Sequence, residues 1–159
     1  HTAYRRQRQM CIRDRYKSIN QLAQIFDVQD QGDALVADLQ TRLAAAVAGA
    51  EQRQARDISA LFWFSSPDMD LDPYVAGQKG VADYMMKSLG LRNVVESSEE
   101  WPSVGWETLA KANPSVLVLA RMDRRRFPAD DVEKKLEFLR NDPVAKHMDA
   151  VRNLSLIHI

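Results

Sequence analysis

Three loops of this 159-residue chain hold side chains that could bind or react, and each is polar and lies between apolar segments. SSPDMDLDPY follows the apolar run ISALFWF and carries Ser65, Ser66, Asp68, Asp70, Asp72 and Tyr74. EEWP carries Glu99, Glu100 and Trp101, and RMDRRR after SVLVLA carries Arg121, Met122 and Arg124. Guanidinium groups present forked donors to carboxylate or phosphate, and indole or phenol rings present flat contact area to a bulky ligand. Alternate carboxylates such as Asp68, Asp70 and Asp72 suit a hard cation, but this run lacks the glycine and the distant glutamate of an EF-hand, so it reads as scattered loop carboxylates. Between residues 18 and 153 the only histidine is His147 and there is no cysteine, which leaves no bare-metal site of His and carboxylate ligands. No G-x-S-x-G elbow, phosphate-binding loop or G-x-G-x-x-G after a strand is present. The chemistry on offer is noncovalent capture, with no catalytic residue and no cofactor expected. An enzyme on an open α/β sheet remains the competing class. A signalling lobe would need an acidic pocket at the first strand end, where this chain has Ser-Ser-Pro.

The elements that must position these loops follow from periodicity. Ser18 is an N-cap candidate before Ile19, Leu22, Ala23 and Phe26, which fall on one helical face. Residues 32–53 place Leu35, Leu39, Leu43 and Val47 at four-residue steps, a long amphipathic helix. Ile58–Phe64 is a continuous apolar run and reads as a buried strand. A helix is expected from Gly77 to Leu89, stopped by Gly90, then a strand over Leu91–Val95 and a helix over Val104–Ala112. Asn113-Pro114 ends that helix before a strand over Ser115–Ala120. Helices over Asp130–Leu139, with Val132, Leu136 and Leu139 inward, and over Pro143–Val151 complete the series, and a closing strand belongs just after Asn153. Strands alternating with helices predict a Rossmann-like, doubly wound parallel α/β lobe. In such a lobe ligands meet the loops beyond the carboxyl ends of the strands, which is where all three reactive loops lie.

Each candidate also has a plainer role. Trp101 beside Pro102 can lie against a ligand or close the core, and for Tyr74 the two roles balance. Trp63 belongs to the core, and Trp106 to helix-to-sheet packing. Arg121, at a strand end, is a stronger anion contact than Arg125 or Arg126, which read as a solvated charge run. Glu107 suits the first turn of a helix, where the dipole favours a negative charge.

Lys and Arg balance Asp and Glu, 22 against 22, yet residues 1–17 hold six Lys/Arg against one Asp. Such an arm could contact nucleic acid, but it lacks the aromatic interleaving of single-strand binders, so no nucleic-acid partner is expected. MCIRDR at residues 10–15 and LSLIHI at residues 154–159 look like translated adapter sequence, so residues 1–17 and 154–159 are expected to be non-native. No run of eighteen apolar residues exists to span a membrane.

In succession, YVAGQKGVADYMMKSLGLRNVV, WPSVGWETLAKANPSVLVL and LRNDPVAKHMDAVRN resemble the second half of the substrate-binding proteins of ABC importers. The subclass is the one that carries iron-siderophores, haem and cobalamin. The likeness runs from Ser18 to Asn153, departing from the pattern at Leu89-Gly90-Leu91 and at Ser115. It implies a connecting helix within residues 18–54, a C-terminal lobe over residues 55–153, and an N-terminal lobe outside this sequence. It also implies an iron-siderophore or related chelate as ligand, an inner-membrane permease as partner, and a periplasmic or lipoprotein-anchored location whose signal sequence lies outside the chain. Trp101 matches the position whose ring lies against the ligand, and Tyr74 lies in a loop that commonly lends an aromatic; Ser65, Ser66, Arg121 and Arg124, in the strand-end loops, are the other ligand-binding candidates. Glu107 matches the outward glutamate that meets permease arginines.

Overall fold

A computed structural model describes residues 15–52, 58–123 and 126–159. The chain divides into two compact units, His1–Gln54 and Ala55–Ile159.

The described part of the first unit is helical. Residues 15–25 form α1 and Gln29–Gln52 form α2. Asp27 turns the chain between them in the left-handed region at φ 55, while Val28 N donates to Ala23 O at 2.8 Å. The helices approach closely where Ala23, nearly fully buried, faces Gly32; a Cβ on Gly32 would lie 2.5 Å from that of Ala23. Ser18 lies inside α1 rather than capping it, because the preceding Arg15, Tyr16 and Lys17 continue the helix. The expected apolar face buries only in part. Leu22, Phe26 and Leu35 are exposed and Leu39, Leu43 and Val47 half-buried, since one helical hairpin has too little surface to cover both faces.

The second unit is built around β1, Ser59–Ser65. One edge of β1 pairs in parallel with β4, Val116–Leu119, in register Ala60↔Val116 to Trp63↔Leu119. Its other edge is divided. The first half takes β3, Arg92–Asn93, in parallel, and the second half takes β2, Tyr74–Val75, antiparallel, with a register shift between Trp63 and Ser65. Beyond β4 lies β5, Leu156–His158, also parallel. The sheet is therefore mostly parallel, as alternation predicts, with one antiparallel piece inside what reads in sequence as a single acidic loop. β5 falls within residues 154–159, the segment expected to be non-native, where the sheet has room for a closing strand beside β4.

Alternation along β1 and β4 sorts the core into two faces. Leu61, Trp63, Leu117 and Leu119 pack with Leu109 of α4 (Trp106–Ala112) and with Leu136 and Leu139 of α5 (Val132–Asn141). Ala60, Phe62, Val118 and Ala120 pack with Ala82 and Met86 of α3 (Val81–Ser88). Helices on both faces make the unit a doubly wound α/β lobe, and each fully buried Leu-sized side chain contributes about 1.5–3 kcal/mol.

The helix starts differ from periodicity for local reasons. α3 begins four residues later than expected, because Gly80 at φ 94 has a conformation closed to most side chains and residues 77–79 are used elsewhere. α5 begins after a 3-10 turn, Pro128–Asp130, where the Asp131 carboxylate accepts from Glu133 N at 2.9 Å. The expected last helix splits into a 3-10 turn, Ala145–His147, and α6, Asp149–Arg152, because Met148 is extended at ψ 139.

Candidate functional site

The carboxyl ends of β1, β3 and β4 carry the loops singled out in the sequence, and two internal devices fix them. The first is a seam between residues 73–78 and 97–104. Val75 N donates to Pro102 O and Gly77 N to Glu100 O, both at 3.0 Å, and Gln78 N donates to Ser97 O at 2.7 Å. Val104 N returns to Pro73 O at 3.2 Å, and Tyr74 bridges to Ser103. Gly77 is required where the strands touch, for a Cβ there would stand 2.2 Å from Glu99 O. Buried Asn93 supports the seam from below, donating to Ala76 O at 2.9 Å and Gly77 O at 3.2 Å.

The seam delivers Trp101 to the end of β1. Its ring stacks on Phe64 at 4.5 Å between centroids, with Phe62 at 5.8 Å, and the residue remains partly exposed. Tyr74, more than one-third exposed, lines a cleft of about 410 Å³ with Pro67, Asp70, Leu71, Asp72 and Ser103. The Tyr74 ring and Leu71 offer apolar contact here, and exposed Asp68, Asp70, Asp72, Glu99 and Glu100 make these loops acidic.

The second device was not anticipated from sequence. Lys135 on α5 is fully buried, and its Nζ donates to Phe64 O and Ala120 O at 2.7 Å and to Trp63 O at 3.2 Å. The nitrogen lies 5.0 Å from the centroid of the Trp63 ring. Burial lowers its pKa to about 7, and the Asp130 carboxylate opposes that shift. Asp130, also fully buried, accepts from Ser65 Oγ at 2.7 Å, Arg126 N at 2.9 Å and Phe127 N at 3.1 Å, while its own carbonyl accepts from Met122 N. The signal was present in the spacing. Val132, Lys135, Leu136 and Leu139 form one helical stripe, and a lysine inside it belongs to the apolar face.

The remaining candidates separate. Ser65 and Ser66 are buried, with Ser65 Oγ bound to Asp130 and Ser66 Oγ accepting from Trp63 Nε1 at 3.2 Å. They shape the turn that leads to Tyr74. Arg121 is exposed at the end of β4 and pairs with Asp123 at 3.1 Å. Arg124 and Arg125 lie outside the described residues. Trp106 packs edge-on against Trp63 at 4.7 Å and against Phe138, in the packing role expected of it. Glu107 is exposed in the first turn of α4. Among the described residues no group of three His, Cys, Asp or Glu could hold a metal ion, and no helix is long and apolar enough to cross a membrane.

The profile of the family described as periplasmic binding protein matches residues 2–159. No curated protein matches the chain. Among solved structures it is similar to one from Saccharomonospora viridis described as an ABC-type Fe3+-hydroxamate transport system, 29% identical with a TM-score of 0.70, covering 91% of this chain and 46% of that one. The periplasmic haem-binding protein RhuT from Roseiflexus sp. RS-1 is 23% identical with a TM-score of 0.72, covering 90% and 52%. A possible iron-binding periplasmic solute-binding protein from Staphylococcus epidermidis is 19% identical with a TM-score of 0.70, covering 91% and 52%. The chain thus spans about half the length of the solved proteins it matches.

Two variants check these devices. Gly77→Ala overpacks the seam and lowers stability by about 1–3 kcal/mol in urea titrations, with loss of the near-ultraviolet circular dichroism of the Trp101–Phe64 stack; an unchanged spectrum and midpoint would refute the seam's role. Lys135→Met strips three buried carbonyls of their shared donor and costs about 3 kcal/mol at pH 7. The unfolded chain holds this proton up to its ordinary value of 10.5 and the folded chain only to about 7. Wild-type stability therefore rises relative to Lys135→Met between those values, by at most about 1.4 kcal/mol per pH unit.

Proposed function

Because the chain belongs to the periplasmic binding protein family, we propose that it contributes one face of the ligand cleft in the solute-binding component of an ABC importer. The cargo is an iron-siderophore or a related chelate such as haem or a corrinoid, held without covalent chemistry and passed to a permease of the inner membrane. The working location is the periplasm, either free or on a lipid anchor. The observation that carries this reading is the pair of aromatic side chains, Trp101 and Tyr74, brought to the carboxyl end of the sheet by one hydrogen-bonded seam. Likeness to the Fe3+-hydroxamate transport protein supports the choice of cargo.

The geometry suits capture. A bulky chelate presents a large, partly apolar surface, and rings held in place beforehand bind it with little loss of conformational freedom. Trp101 and Tyr74 supply the contact, and Ser65 and Ser66 hold the turn beneath them. Arg121 meets anionic groups only by exchanging its Asp123 partner for the ligand. Glu107 serves a different surface. Exposed at the start of α4, it offers a carboxylate to arginines of the permease.

Titration with a ferric trihydroxamate, followed by tryptophan emission, is expected to quench saturably, and Trp101→Ala or Tyr74→Ala to weaken binding about tenfold, the worth of one good aromatic contact. If ferric hydroxamate, haem and corrinoid all fail to quench, the cargo assignment falls. Glu107→Ala is expected to leave that affinity unchanged and to slow uptake in cells carrying the transporter. Uptake at the wild-type rate would remove Glu107 from docking.

A further inference from the structure

The loops after β1 and β4 leave the sheet from points joined by one side chain. Lys135 Nζ takes its three acceptors from the last turns of both strands, Trp63 O and Phe64 O from β1 and Ala120 O just beyond β4. From there the chain enters Ser65 and Ser66 on one side and Arg121 and Met122 on the other. Asp130 ties the same two places a second time, through Ser65 Oγ and Met122 N. We propose that Lys135 is a positioning residue that sets the spacing of the two ligand-facing loops and makes that spacing depend on its proton. This rests on those loops meeting the ligand, as proposed above.

The dependence follows from counting donors. An ammonium has three hydrogens, matched here to three carbonyls, and an amine has two hydrogens and a lone pair. Phe64 O and Ala120 O are the shorter contacts, and Trp63 O already accepts from Ala120 N at 3.0 Å. Loss of the proton therefore turns the lone pair toward Trp63 O, and two electron-rich atoms 3.2 Å apart must separate. Deprotonation relieves a buried charge but gives up one of the three bonds that Lys135 makes across the ends of β1 and β4. Neither strand brings another titratable side chain to the nitrogen. The turn before α5 brings Asp130, and Asp131, Glu133 and Lys134 of the same segment lie toward solvent. The ring of Trp63 faces the same nitrogen, so the charge has a built-in optical reporter.

The test needs no ligand, so its outcome is separable from the cargo assignment. In the full chain, amide and lysine side-chain NMR signals are followed from pH 6 to 9.5. Lys135 is expected to titrate, with the amides of Ser65, Ser66, Arg121 and Met122 moving at its midpoint and Trp63 emission changing in step. Lys135→Met should abolish that shared midpoint. Asp130→Asn, which keeps the shape but removes the charge favouring the ammonium, should lower the midpoint by about one pH unit; it serves alone if the methionine variant does not fold. Loop amides that stay still while Lys135 titrates would overturn the positioning role. A midpoint unmoved in Asp130→Asn would overturn the part assigned to Asp130.

Discussion

Three carbonyls from the ends of two strands converge on one nitrogen, and much of this lobe is arranged to allow it. A buried ammonium is costly unless its hydrogens are all used. Here the acceptors are backbone groups already fixed by the β1–β4 ladder, so no side-chain rotamers have to be ordered to supply them. The cation then faces the Trp63 ring and lies near the Asp130 carboxylate, each of which favours the charge. Asp130 in turn is held by a serine hydroxyl and two backbone amides. An arrangement of this kind rigidifies while every member is satisfied and is costly when one is removed.

The same economy governs the other side of β1. Its outer edge is too long for β3, which pairs only with Ser59 and Ala60, so the remaining edge is free for β2. β2 then serves as a base for residues 97–104 and sets Trp101 on Phe64. Trp101 and Tyr74 are therefore positioned by backbone hydrogen bonds and a close glycine contact rather than by the loop's own preferences. Loops fixed in this way lose little entropy on binding, which suits the solute capture proposed for this lobe.

Much of the framework was legible in the sequence, for identifiable reasons. The apolar runs of β1 and β4 are buried on both faces, so they stand out as continuous hydrophobic segments. Gly90 and Asn113-Pro114 mark helix ends through backbone conformations that few other residues adopt. Element starts were less legible, because a side chain at Asp131 or a glycine at Gly80 overrides periodicity within one turn. The antiparallel strand at Tyr74 and Val75 could not be seen, since two residues carry no period and their pairing depends on an edge exposed elsewhere.

The sequence alone determined the α/β alternation, the loops at the strand ends, the packing role of Trp106 and the likeness to periplasmic binding proteins. These follow from hydrophobic period, punctuating residues and motif order, all of them local. The tertiary structure decided what the polar side chains do. Ser65 and Ser66 are ligand candidates by their place at a strand end, and the fold brings Asp130 and the Trp63 indole within hydrogen-bond reach of their hydroxyls. Spacing puts Lys135 on the apolar stripe of its helix, but the acceptors it meets at the ends of β1 and β4 are brought together only by the pairing of those strands in space. A hydrogen-bond partner distant in sequence leaves no trace in local pattern, and for that reason the chemistry of these groups belongs to the fold.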